Sequence, residues 1–301
     1  LRVSSLPTSW GEKIVMRLLK KTGGVPTLAE LGLRGRGLKN LEDAVLRPHG
    51  IILICGPTGS GKTTTLYSII SKINTSKVNI VTLEDPIEYK IAGVNQVQIN
   101  PAAGLTFASG LRSFLRQDPN IILVGEIRDQ ETADLAIQAS LTGHLVFSTL
   151  HTNDASGALP RLLDMGAEPY LLASSVTAIM AQRVIRKIHD KCKTAFTPDV
   201  KISEEVKANL GNLWPSGKDV KFYKGKGDAE CGNSGYFGRV GIFEVMPVTE
   251  KMSKLILERS SSADIEKLAR DEGMITLKQD GYLKVLEGIT SIEEVLRVAQ
   301  E

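Results

Sequence analysis

The sequence predicts an α/β fold with a mainly parallel sheet, and three observations carry that prediction. Short apolar runs alternate with stretches of helical spacing through the middle of the chain. The runs Ile51-Ile52-Leu53-Ile54 and Ile121-Ile122-Leu123-Val124 are apolar throughout, as strands covered on both faces are. Directly after the first run comes Gly56-Pro57-Thr58-Gly59-Ser60-Gly61-Lys62-Thr63, a complete phosphate-loop pattern between a strand and a helix.

The elements follow in order. Residues 1–35 hold two patterned pieces, one around Glu12–Lys21 with Ile14, Val15, Leu18 and Leu19 apolar. Leu1-Arg2-Val3-Ser4-Ser5 reads as mid-domain sequence, so a longer protein whose N-terminal part is left off is expected. Glycines punctuate Leu31–Gly37, which reads as a linker. A short helix carrying Leu41, Ala44, Val45 and Leu46 leads to the first core strand. After the phosphate loop, Leu66, Ile69, Ile70 and Ile73 recur at helical spacing, and Asn79–Leu83 is a second strand. Leu105–Gln117 reads as a helix closed before Asp118-Pro119, because the residue preceding proline avoids the helical region. Ile121–Val124 is a third strand, Asp129 caps a helix stopped by Gly143, and Leu145–Thr149 is a fourth strand. Helices are expected up to about Lys187, an irregular insertion over 189–241, and a small helical bundle from Ile242 to Glu301 built on residues such as Leu255, Ile265, Leu283 and Val295.

Composition narrows the class. The chain has 301 residues, 42% hydrophobic and 24% charged, with a net charge of +3 that is too mild to argue for nucleic acid. Three cysteines, Cys55, Cys192 and Cys231, do not make a disulfide framework, and Cys55 reads as a small buried hydrophobe. No apolar run approaches the ~20 residues of a membrane-spanning helix. No signal peptide opens the chain. A reduced, cytosolic protein is the expectation.

The chemistry gathers at strand ends. In the phosphate loop, glycines let successive N–H groups turn toward phosphate oxygens, and the following helix adds its positive end. Gly56 through Thr64 (Gly56, Pro57, Thr58, Gly59, Ser60, Gly61, Lys62, Thr63 and Thr64) are the candidate nucleotide ligands, with Lys62 on the terminal phosphates and the Thr63 hydroxyl on magnesium. The second strand ends in Glu84-Asp85-Pro86-Ile87-Glu88 and the third in Gly125-Glu126-Ile127-Arg128-Asp129. Either cluster alone reads equally as surface carboxylates. Two beside a phosphate loop point to acids that serve water and magnesium. The fourth strand is flanked by His144 and His151, and a γ-phosphate-sensing role is favoured over a structural one, more strongly for His151 at the ligand edge.

Four boxes carry a resemblance: residues 56–63, Thr-Leu-Glu-Asp-Pro-Ile-Glu-Tyr at 82–89, Leu-Arg-Gln-Asp-Pro-Asn through Gly-Glu-Ile-Arg-Asp at 115–129, and Gly-His-Leu-Val-Phe-Ser-Thr-Leu-His-Thr at 143–152. In kind and order they resemble the Walker A, Asp, atypical Walker B and His boxes of the secretion ATPase superfamily. They are most similar to the GspE/PulE/PilB branch that assembles type IV pili and type II secretion systems. The resemblance implies a RecA-like core that hydrolyses Mg-ATP. Within it Glu88 is the general base, Glu126 serves magnesium and its waters, and His144 and His151 form the γ-phosphate-sensing box. Gly125 stands where other phosphate-loop proteins often carry aspartate. Arg2 and Arg17 resemble arginines that the family's N-terminal lobe brings to the phosphates, and Arg112 and Arg116 are weaker candidates of that kind. The runs around Gly235–Glu244 and Gly273–Gly281 favour assembly or secretion over retraction.

The resemblance also implies a homo-hexamer working on an inner-membrane platform protein of a pilus or secretion machine, at the cytoplasmic face of the bacterial inner membrane. Residues 1–35 would end an N-terminal lobe and linker, 36–188 form the ATPase core, 189–241 the insertion, and 242–301 a helical subdomain. Hydrolysis would shift lobe against core around Gly35–Gly37. Most members of the branch carry two C-x-x-C pairs for zinc in the insertion. Here those places read His189-x-x-Cys192 and Asp228-x-x-Cys231, and a degenerate, metal-free loop is preferred to a His-Cys-Asp-Cys zinc site. Lys218, Lys221, Lys224 and Lys226 read as a solvated face, with contact to the anionic inner leaflet or a membrane platform protein as a weaker alternative. Two rival functions stay open: a nucleic-acid translocase, disfavoured by only 5% aromatic residues, and a low-turnover nucleotide-binding scaffold.

Overall fold

The structure, a computed structural model, describes residues 2–17, 24–215 and 220–299. An antiparallel hairpin opens it, β1 (Arg2–Thr8) and β2 (Gly11–Arg17). The core then runs α1 (Gly35–Val45), β3 (Gly50–Cys55), α2 (Lys62–Ile73), β4 (Ile80–Glu84), β5 (Asn95–Gln98), α3 (Phe107–Phe114), β6 (Ile121–Val124), α4 (Gln130–Leu141) and β7 (Leu145–Leu150). Next come α5 (Ala158–Asp164), α6 (Pro169–Ser175), β8 (Val176–Ile188), β9 (Lys193–Phe196), α7 (Val200–Leu210), β10 (Phe222–Gly225) and β11 (Tyr236–Pro247). Four helices close the chain: α8 (Glu250–Leu257), α9 (Ser262–Asp271), α10 (Leu277–Leu286) and α11 (Ile292–Ala299).

The central sheet has seven strands in the order β11-β8-β3-β7-β6-β4-β5, parallel throughout except where β11 runs against β8. This is the expected α/β architecture. Strand β3 sits between β7 and β8 and is buried along its whole length. Its side chains alternate between the two faces: Ile51, Leu53 and Cys55 pack with α4, α6 and the C-terminal helices, while Ile52 and Ile54 pack with α1 and α2. Both faces are therefore covered, which is why the strand sequence shows no polar alternation. Capping sets the helix starts. Asp129 accepts from Thr132 N at 2.8 Å, and Thr106 and Ser109 form a reciprocal capping box that starts α3 two residues later than Leu105.

Three expectations are corrected. The stretch before Lys187, expected to be helical, contains the long strand β8, because an apolar segment buried on both faces has the same composition whether strand or helix. The helical pattern expected from Ile242 begins only after Pro247, since Ile242–Pro247 completes β11, so a boundary at 241 falls inside a strand. Leu31–Gly37, expected as a linker with its hinge at Gly35–Gly37, is packed on the core: Leu33 is buried, Gly241 N donates to Leu31 O, and α1 begins at Gly35. The edge strand β5 and helix α7 were not foreseen, being short or weakly periodic. The apolar positions Leu18 and Leu19 lie outside the described residues.

A buried acid fastens the last helix to the sheet. Glu294 on α11 accepts from Arg186 N and Nη2 of β8 at 2.9 and 2.6 Å, and from Arg297 Nη2 at 2.8 Å. Burial pushes its carboxyl up, but the hydrogen bonds outweigh burial and hold it at about 2 against an ordinary 4.5. The stability it contributes is complete above pH 4.5 and lost as pH falls toward 2. Glu294→Gln is expected to cost about 1.5–3 kcal/mol at neutral pH. Near pH 2 it should cost little, which urea unfolding at both pH values checks.

Candidate active site

The carboxyl ends of the parallel strands converge on a cleft of about 720 Å³. The phosphate loop forms one wall. Gly61 is the N-cap of α2 at φ 88°, left-handed backbone that glycine adopts without strain. A Cβ at Gly56 would lie 2.5 Å from Ser60 Oγ and 2.7 Å from the carbonyl of Gln182 on β8. The loop is thus seated directly on β8, and Gln182 Nε2 reinforces this by donating to Ser60 O at 2.6 Å. Lys62 arches over the loop and donates to Gly56 O at 2.6 Å and Pro57 O at 3.2 Å. Burial lowers its pKa, against the opposing pull of Cys55 and Glu126. Burial pushes the Cys55 thiol up to about 12, which makes it the inert hydrophobe expected of it.

The acidic clusters divide by role. Glu84 is 4% exposed, and its oxygens are taken by Tyr67 OH, Thr82 Oγ1 at 2.6 Å and Gln96 Nε2 at 3.0 Å. It braces α2 against β4. Asp85 and Glu88 pass beyond it into the cleft, and Glu88 N donates to Tyr67 OH at 3.3 Å. On the neighbouring strand, Gly125 N donates to Leu83 O at 2.7 Å. A Cβ at Gly125 would lie 3.1 Å from Leu83 O and 3.3 Å from the Phe107 ring, a tight fit that a larger residue would meet only by moving these neighbours. Glu126 follows. Its Oε2 lies 2.6 Å from Arg128 Nε and 3.4 Å from His151 Nε2, yet it is buried without an aligned hydrogen-bond donor.

Glu126, ion-paired with Arg128, and Thr63 line the same cleft. Hard oxygen donors of this kind fit a magnesium ion, which would polarise a bound phosphate. His151, half-exposed, lines the cleft, and the strand just before it is tied to the acid loop by Thr149 Oγ1, which donates to Gly125 O at 2.7 Å.

Other expected site residues are not brought here. His144 stands before β7, at the opposite end of the strand from His151, about 23 Å away at about 3.3 Å per residue. Its Nδ1 lies 2.8 Å from Ala139 O, so it closes α4 and does not face the loop. Arg2 and Arg17 pair in the hairpin register, but their side chains lie outside the described residues, as does Lys218. Arg112 pairs with Glu131 and Arg116 donates to Arg112 O, both away from the cleft lining. Conversely, Arg239, Tyr67 and Tyr89 line the cleft unforeseen, and Gln182 supports it from below. Arg239 alone had a signal, a lone cation between glycines.

A second cluster lies in the insertion. Ligand atoms of His189, Cys192, Asp228 and Cys231 fall within 4.8 Å of one another. His189 Nδ1 is buried 2.9 Å from Asp228 Oδ2, and Cys231 Sγ accepts from Asp228 N at 3.2 Å and Gly235 N at 3.3 Å.

A parallel sheet, a glycine loop opening onto a helix and acids at the adjoining strand ends define a phosphate-loop nucleotide-binding protein. The profile of the family described as Type II/IV secretion system protein matches residues 1–297, and the chain belongs to that family. It is 48% identical over 301 residues to the type II secretion system protein E of Pseudomonas aeruginosa, covering all of this chain and 59% of that protein. It is 47% identical over 296 residues to the type IV pilus assembly ATPase PilB of Thermus thermophilus, covering 98% of this chain and 33% of that protein. Among solved structures, the pilus retraction motor PilT with bound ADP superposes with a TM-score of 0.71 at 28% identity over 99% of this chain and 72% of that one. The chain therefore spans 33% to 59% of the length of these two relatives.

Gly56→Ala is expected to displace the loop from β8, because the added methyl has no room and the φ of 145° disfavours it. ATP affinity measured by calorimetry should fall at least about tenfold, a loss near 1.4 kcal/mol.

Proposed function

We propose that this chain is the ATP-hydrolysing part of a hexameric motor for type IV pilus assembly or type II secretion, acting at the cytoplasmic face of the inner membrane through a platform protein. The observation that carries this reading is the single cleft onto which the phosphate loop, Glu88, Glu126 and His151 open together. The names of the relatives, an assembly ATPase and a secretion protein E, support the assembly and secretion branch. Among the described residues no helix is long and apolar enough to cross a membrane.

In this reading the loop amides of Gly56–Thr64 hold the β- and γ-phosphates, and Lys62 exchanges its carbonyl partners for phosphate oxygens. Glu88 takes a proton from the attacking water. Glu126 and the Thr63 hydroxyl hold magnesium, and His151, beside Glu126, reads the γ-phosphate. Arg2 and Arg17 belong to an N-terminal lobe that adds positive charge as the cleft closes. Glu88→Gln is expected to bind ATP within about twofold of wild type and to lose at least about a hundredfold in turnover, the usual scale for a general base. Near-normal phosphate release by that variant would remove Glu88 from the role. Salt-sensitive stimulation of hydrolysis by single-stranded nucleic acid would favour the translocase instead.

The insertion cluster fits zinc. It offers one nitrogen, two sulfurs and one carboxylate, and backbone N–H groups already point at Cys231 Sγ. We infer that His189, Cys192, Asp228 and Cys231 hold a structural zinc ion. Elemental analysis of purified protein should find close to one equivalent, and a chelator should lower the melting temperature. Zinc well below one equivalent with unchanged melting returns the site to a metal-free loop.

A further inference from the structure

Beneath the loop that follows β7 lies a buried carboxylate that the proposed chemistry does not use. Glu244, on β11, is 5% exposed. Its Oε1 accepts from Ala155 N at 2.7 Å and its Oε2 from Leu277 N at 3.1 Å. Ala155 lies four residues beyond His151, and Leu277 is the first residue of α10. One side chain thus grips the loop carrying His151 with one oxygen and the start of a C-terminal helix with the other.

The surroundings make this an improbable place for a charge. Burial pushes the carboxyl up to about 7, only partly offset by the two N–H bonds. The charged groups around it are Asp154 in the loop, Arg183 on β8, Glu266 and Arg270 on α9, and Lys278 on α10, all lining one cavity of about 230 Å³. A neutral amide would cost less to bury. An amide, however, has one acceptor and one donor, and two backbone N–H groups demand two acceptors. Only the carboxylate satisfies both segments at once.

The neighbours of Glu244 lead to the nucleotide. In the β8–β11 ladder Glu244 pairs with Ala181, and the next pair, Phe243 with Gln182, brings in the residue that donates to Ser60 O of the phosphate loop. Arg183 reaches Asn153 Oδ1 in the His151 loop at 3.4 Å. Asp154 stiffens that loop by accepting from Gly157 N at 2.6 Å and Ser156 Oγ at 2.9 Å. At the other end, Asp280 of α10 accepts from Phe243 N at 2.8 Å, so the helix is fastened to the same strand one residue away.

We propose that Glu244 is a positioning residue that links the His151 loop to the first turn of α10, so that rearrangement of the loop around a bound triphosphate is passed to the C-terminal helices. This rests on the functional reading of the phosphate loop and His151. The link is a two-acceptor clamp between elements that are otherwise held by different neighbours. It gives the helices a direct report of what occupies the cleft, through rigid parts and one side chain.

Hydrogen exchange read by mass spectrometry tests it, on the chain with and without magnesium and a nonhydrolysable ATP analogue. In wild type the analogue should protect residues 56–66 and change exchange over 276–286 by about fivefold, the lower range of ordinary coupling. In Glu244→Gln, protection of 56–66 should persist with analogue affinity within about twofold, while the change over 276–286 disappears. A merely structural clip would loosen 276–286 equally with and without nucleotide. Persistence of the nucleotide-dependent change in the variant overturns the proposal. Protection of 56–66 in wild type with no change at 276–286 overturns the link but leaves the functional reading intact, whereas no protection at 56–66 removes both. Should Glu244→Gln not fold, wild type at pH 6 and pH 8 supplies the same contrast, because protonation turns one acceptor into a donor. The nucleotide-dependent change should then be larger at pH 8, and equal changes at both pH values overturn the proposal.

Discussion

The seating of the phosphate loop on β8 is the constraint from which the rest of the site follows. Gly56 has no room for a side chain because the Gln182 carbonyl lies against it, and Gln182 returns a hydrogen bond to Ser60 O. Fixing the loop there fixes the start of α2, and with it Lys62 and Thr63. Tyr67, one turn along α2, then meets Glu84, which orients the end of β4 and the approach of Glu88. The parallel register of the strands does the remainder, since Val124 pairs with Ser148 and the residues that follow, Glu126 and His151, come within 3.4 Å. A cleft assembled this way needs little from side-chain flexibility. Its groups are held by backbone ladders and a few buried polar braces.

Charge in the molecule is managed in two contrasting ways. Glu294 is kept ionised by two arginines, Arg186 of β8, which binds the last helix to the sheet, and Arg297 one turn along the same helix. Glu244 has no such cationic clamp among its hydrogen bonds, only two backbone amides, and is held near neutrality. The first arrangement is insensitive to modest changes around it. The second is poised, and it sits where the nucleotide loop and the C-terminal helices meet.

Much of the cleft was legible in the sequence because its chemistry is contiguous. The phosphate loop occupies one run of residues, and each acidic cluster follows directly from an apolar strand. Elements whose nature depends on distant partners were not legible. Val176–Ala181, apolar but for Thr177, is buried between β3 and β11, and the polar Gln182 and Arg183 follow without a break in the strand, a continuity no local spacing reveals. Missing that strand hid Gln182 as the support of the loop. His144 illustrates the opposite error: two histidines flanking one strand look paired in sequence, but a strand is extended, so its two ends point to different sides of the molecule. Glu244 stood in a run that marked the branch, but its role gave no signal, since one acid in a long strand tells nothing of which amides will surround it.

The sheet ends, away from β11, in β5, four residues reading Asn95-Gln-Val-Gln98. Pro101 follows closely and cannot donate to a ladder. A margin so brief, polar and abruptly terminated gives an approaching chain almost nothing to zip onto. Copies crowded side by side would be kept from fusing into a continuous ribbon, and would meet instead through the shapes of their helices and loops.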